Sequence, residues 1–121
     1  MRRRDLIEQI ARSDSSFRLV DGEWIGRCLI CNAPLRFTAA DGGGATVEHI
    51  VPRREGGSDE LANLALVHAA CNWEKGVHWD EPRRRHGRQH EYEQLLTRLL
   101  TRRRARWRDP DDAGNTNGMG R

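Results

Sequence analysis

Apolar residues at Leu6, Ile7, Ile10 and Ala11 recur at helical spacing, which predicts a short amphipathic helix over residues 5–12. The pattern then changes to strand-like runs. Phe17-Arg18-Leu19-Val20 and Glu23-Trp24-Ile25 flank Asp21-Gly22, and Asp-Gly between such runs predicts a tight hairpin. Residues 33–37 suit a further strand. The turn Asp41-Gly42-Gly43-Gly44 precedes a strand over 45–50. A loop over 52–60 comes next, with Gly56-Gly57 free to take positive φ. Residues 64–67 read as a short apolar strand and 69–75 as a short helix stopped by Gly76. Glu81-Pro82 breaks the chain. A long helix is predicted over 89–107, with Tyr92, Leu95, Leu96, Leu99 and Leu100 on one stripe. These elements sum to a small α+β domain with a short N-terminal helix and a longer C-terminal one.

Composition narrows this picture. The chain of 121 residues is 36% hydrophobic and 32% charged, so the core is small and a staple is expected. No run of 18 apolar residues exists to span a membrane. Met1-Arg2-Arg3-Arg4 has the charge of a signal peptide, but Asp5 and Glu8 interrupt the apolar stretch that a signal requires, so a cytoplasmic protein is expected.

Charge is unevenly placed. Residues 1–80 carry 10 basic and 12 acidic side chains, whereas 81–108 carry 10 arginines and 3 glutamates. A basic segment of this kind predicts a polyanion partner. Residues 109–121, acidic and low in apolar content, are expected to be disordered.

Three cysteines cannot all pair within one chain. Cys28 and Cys31 form a C-x2-C knuckle, and His68-x2-Cys71 supplies a second. Two such knuckles can bring four ligands to one zinc ion, and a site with all four positions filled is structural. It would supply the staple that the small core lacks.

Between the knuckles, Glu48 and His49 stand side by side at the end of a strand, where neighbouring side chains diverge. Asn63 precedes the next strand, and Asn72 comes directly after the ligand Cys71 on the short helix. A hydrolytic metal site needs hard oxygens for a divalent ion and a base near the attacking water but off the metal. Glu48 and His49 suit those separate jobs because they diverge.

The order Glu-His … Asn … Cys-Asn-x2-Lys-Gly, in "CLIC", "VEHIVPRREGG", "ELANLALVHAACN" and "EKG", resembles the HNH endonuclease family over residues 27–76. The resemblance implies a ββα-metal motif in a treble-clef-like, zinc-stapled scaffold. It implies His49 as general base, Glu48 and Asn72 as ligands of a catalytic Mg²⁺ or Mn²⁺, and Asn63 as a residue that orients His49 or braces the loop. Cys28, Cys31, His68 and Cys71 would hold structural zinc. The family commonly has aspartate where this chain has Glu48, and some members have histidine at the place of Asn72.

The expected function is metal-dependent hydrolysis of DNA phosphodiester bonds. The alternative is a catalytically inactive, zinc-stapled nucleic-acid-binding module. An interaction protein using the 95–100 stripe is a third reading. The expected organisation is a nuclease domain over 1–80, a basic helical extension over 81–108 that grips duplex backbone, and the tail. Candidate phosphate contacts are Arg53, Arg54, Lys75, Arg83, Arg84 and Arg85, with Lys75 also able to cap its helix. Leu95, Leu96, Leu99 and Leu100 would either pack on the domain or form a homodimer. Trp73 and Trp79 are expected to cover the core, and His78, His86 and His90 to lie on the surface.

Overall fold

The computed structural model describes residues 2–111. Most of the tail expected to be disordered, residues 112–121, lies outside them. The elements run α1 (Arg3–Arg12), β1 (Arg18–Val20), β2 (Glu23–Arg27), β3 (Pro34–Thr38), β4 (Thr46–His49), β5 (Leu64–Val67), α2 (Ala69–Lys75) and α3 (Gln89–Ala105). Short 3₁₀ turns at Arg53–Glu55 and Leu61–Asn63 lie in the β4–β5 connection.

Two small antiparallel sheets form, β1-β2-β3 and β4-β5. The first hairpin closes at Asp21 and Gly22, with φ of 50° and 80°. Two successive positive φ values make the turn whose twist matches a hairpin, and Asp-Gly tolerates it. In the second sheet Glu48 pairs with Ala65 and His49 with Leu64. β5 is buried along its whole length, which explains its unbroken Leu-Ala-Leu-Val run.

One core joins all of this. Ile7, Ile10 and Ala11 of α1, Phe17, Trp24, Leu35 and Phe37 of the first sheet, β5, and Leu99 of α3 belong to it. Leu95 and Leu100 pack against the same cluster. Leu95, Leu99 and Leu100 of the α3 stripe therefore pack on the domain, one of the two roles expected for that stripe.

Gly76 does not stop α2. It keeps right-handed helical angles, and the chain continues as a π-helical turn over Gly76–Asp80. Glu81 N–H donates to Gly76 O at 3.0 Å, five residues back. The wider turn brings Asp80 onto Lys75, whose Nζ donates to both its carboxylate oxygens at 3.0 and 2.9 Å. That buried ion pair overrides the glycine.

The arginines of α3 and its flanks turn inward. Arg103, 1% exposed, donates to Leu64 O, Ser13 O and Leu61 O. Arg102 donates to Leu29 O and Ile30 O, and Arg106 to Arg27 O. Arg108 reaches Ala11 O, Arg12 O, Asp14 O and Phe17 O. Several of these carbonyls already accept one backbone N–H, and a guanidinium, with five N–H groups in a rigid fork, supplies further donors. Much of the charge read as a polyanion grip thus serves as struts.

Candidate functional site

The first knuckle comes directly after β2. Asn32 N–H donates to Cys28 O and Cys28 N–H to Ala33 O, and Asn32 takes φ of 65°. This tight turn aims both cysteines at one point. His68 caps the start of α2 and Cys71 lies one turn in. The four ligand atoms all lie within 4.8 Å of one another. His68 Nδ1 is 3.4 Å from Cys31 Sγ and 3.8 Å from Cys71 Sγ. Ligands about 2.0–2.3 Å from a tetrahedral zinc ion stand at about such separations. His68 Nε2–H donates to Pro34 O at 2.9 Å, which leaves Nδ1 as the lone-pair nitrogen facing the thiols. The Ala33 N–H draws the Cys31 thiol down to about 7, whereas burial pushes Cys71 up to about 12. A cation among them would hold both as thiolates. The set fits zinc in number, type and spacing.

Beside it, β4 delivers Glu48 and His49 to opposite sides. Glu48 is 6% exposed, and its Oε2 lies 2.7 Å from Lys75 Nζ. Burial raises the Glu48 carboxyl above its ordinary range, and the Lys75 ammonium opposes that shift. His49 is half-buried; its Nε2–H donates to Asp59 Oδ1 at 2.8 Å. The same oxygen accepts Arg53 Nε–H at 2.9 Å. Glu48, His49, Arg53, Arg54 and Asp80 line one shallow cleft with Val47 and Pro52.

The loop carrying Asp59 is pinned by Asn63. Its Oδ1 accepts Val51 N–H at 2.9 Å, and its Nδ2 donates to Val51 O and Ser58 O at 3.0 and 2.8 Å. Gly57 is required underneath, because a Cβ there would stand 1.7 Å from Val51 O. Asn63 therefore braces the loop and makes no bond to His49.

The HNH endonuclease family model matches residues 28–78. This segment, under half of the chain, is similar to the HNH endonuclease family. No curated protein and no solved structure gives a significant match. The HNH segment spans both knuckles, β3, β4, β5 and α2, so the metal-ligand set and the cleft share one scaffold.

Within the HNH segment Asn72 lies on α2 beside β4, its Nδ2 donating to Val47 O at 3.3 Å. Its amide oxygen is then the group left to meet a cation. An amide oxygen, like a carboxylate, is a hard donor of the type that suits Mg²⁺ or Mn²⁺, although Asn72 does not line the cleft that holds Glu48. The ammonium of Lys75 is a competitor for the Glu48 carboxylate.

Two expected phosphate contacts are corrected. Lys75 is 3% exposed and held by Glu48, Asp80 and His49 O. Arg85 is 6% exposed; it donates to Glu55 Oε2, Trp79 O and Asp80 O and covers the Tyr92 ring. Both spend their charge inside the domain, where a phosphate has no access. Arg53, Arg54, Arg83 and Arg84 are exposed. Trp79 stacks on Tyr92, but Trp73 is 65% exposed and covers no core.

Two groups near the site carry no clear signal in the sequence. Asp80 meets Lys75 and accepts the Tyr92 hydroxyl at 2.7 Å. Asp59 meets His49 from ten residues downstream. Only the position of Asp59 between His49 and Asn63, after a Gly-Gly pair, hints at it.

Proposed function

We propose that this protein is a metal-dependent DNA endonuclease. The observation that carries the reading is the convergence of His49 and Glu48 on one cleft with the exposed cations of Arg53 and Arg54. An imidazole, a carboxylate and two guanidiniums are the groups that hydrolysis of a phosphodiester uses.

His49 is the general base: it takes a proton from the attacking water. Arg53 and Arg54 hold the phosphate backbone at the cleft, with Arg83 and Arg84 extending the contact along the duplex. Glu48 and Asn72 would hold Mg²⁺ or Mn²⁺, which supplies Lewis-acid stabilisation of the phosphorane charge and the leaving 3′ oxygen when bound. Family resemblance implies products with 5′-phosphate and 3′-hydroxyl ends. Cys28, Cys31, His68 and Cys71 hold zinc as a structural ion, since all four positions are filled by protein. Asn63 keeps the loop that carries the partner of His49.

A second reading has one observation in its favour. The Lys75 ammonium on Glu48 would serve an inactive, zinc-stapled nucleic-acid-binding module equally well. Plasmid nicking with Mg²⁺, Mn²⁺ or EDTA separates the two. Metal-dependent nicking is expected, and His49→Ala should lower it ~10²–10⁴-fold while zinc content and DNA affinity persist. No cleavage by wild type assigns the domain to binding alone, and nicking that survives His49→Ala removes His49 as the base.

A further inference from the structure

We propose that Asp59 is the positioning residue of His49: it fixes the ring in the tautomer that can accept a proton and stabilises the imidazolium that results. The proposal rests on the nuclease reading and names a further part of that site.

A carboxylate only accepts hydrogen bonds. The 2.8 Å contact of Asp59 Oδ1 with His49 Nε2 therefore requires the proton to be on Nε2. A neutral imidazole has one other nitrogen, so Nδ1 must carry the lone pair. Among the described residues Nδ1 meets no hydrogen-bond partner, and the residue lines the open cleft. A base needs a free lone pair, a fixed ring and a partner for the charge it gains. The contact with Asp59 supplies the last two. When water gives its proton to Nδ1, the new cation stands against an anion already in place.

Asp59 is suited to remain that anion. The His49 and Arg53 hydrogen bonds hold its carboxyl below the usual carboxylate range. Its placement is rigid although its side chain is exposed. Asn63 ties the adjoining Ser58 O to the loop, and Gly57 packs against Val51 O where no larger residue fits. Arg53 shares Oδ1 of Asp59 but is itself largely exposed. It can move to a phosphate and leave the Asp59–His49 contact intact.

The test combines kinetics with the ring itself. Asp59→Ala removes an exposed side chain, so zinc-loaded protein should fold and bind DNA as wild type does. In the nicking assay kcat should fall about 10–100-fold with KM for DNA little changed, less than the ~10²–10⁴-fold loss of the base itself. Asp59→Asn, which keeps an acceptor oxygen but no charge, should fall between the two. Arg53→Ala should instead raise KM. Nitrogen-15 NMR of the His49 ring in the zinc-loaded protein should show the Nε2–H tautomer in wild type and a mixture in Asp59→Ala. An active wild type with unchanged kcat in Asp59→Ala overturns the proposal. A wild type that does not nick removes the nuclease reading and the catalytic half of this proposal. The ring readout then decides the rest: a changed tautomer upholds the pairing, and an unchanged one overturns it.

Discussion

Replacing Arg103 tests whether the basic helix is scaffold or DNA clamp. Its guanidinium is buried, with Nε on Leu64 O at 2.7 Å, Nη1 on Ser13 O at 2.9 Å and Nη2 on Leu61 O at 3.1 Å. Ser13 O keeps a second donor in Arg108 N–H, and Leu61 O keeps Leu64 N–H. Arg103→Ala thus removes Leu64 O's side-chain donor and opens a cavity. An orphaned buried carbonyl costs about 1–3 kcal/mol, and a vacated core side chain about 2–5 kcal/mol. Relief of the buried charge, whose desolvation already lowers the Arg103 pKa, returns part of this. The net expectation is about 3–4 kcal/mol, a large share of the ~5–15 kcal/mol that holds a small domain. Arg103→Met fills the space without the charge and should cost about 1–2 kcal/mol. Urea unfolding of zinc-loaded protein by circular dichroism measures both, with the slope checked for constancy. If Arg103→Ala loses under about 1 kcal/mol yet DNA affinity falls, the strut assignment is wrong.

Two further expectations concern the metals. Cys31→Ser should yield protein without stoichiometric zinc and without cooperative unfolding, since binding free energy of ~10–16 kcal/mol is coupled to folding in such sites; a zinc-free, folded variant would contradict this. Glu48→Gln should raise the Mg²⁺ or Mn²⁺ concentration needed for half-maximal nicking, because a neutral amide binds a hard cation less well than a carboxylate. An unchanged metal titration would place the ion elsewhere.

Local patterns carry much of the fold into view. Asp21-Gly22 announces its hairpin through its φ preference, and the two C/H-x2-C knuckles announce a shared ligand set through spacing alone. Glu48 and His49 stand out because their chemistry is unusual at a strand end. The hidden features depend on partners distant in sequence. Asp59 reads as a loop carboxylate until Asn63 folds the loop against Val51 and brings it to His49. Gly76 reads as a helix stop until the Lys75–Asp80 pair pulls the chain into a wider turn. An arginine reads as surface charge whether it meets phosphate or a buried carbonyl. Nothing in its own neighbours tells Arg83, which is exposed, from Arg85, which is not.

The junction of Ser13 and Asp14 with the segment after α3 has a consequence for how the protein is made. Ser15 N–H bonds Arg106 O, Arg108 N–H bonds Ser13 O, and Asp14 bridges Trp107. Arg103 reaches Ser13 across 90 positions of chain. Contacts that span such a distance cannot form until the later partner has left the ribosome, and non-local closure is slow. During synthesis α1 can meet β5 before α3 emerges, but the strand start at Leu64 must wait for its strut. A chain cut short before residue 103 would carry every residue of the HNH-like segment without the clasp that ties Leu64, at the start of β5, to Ser13.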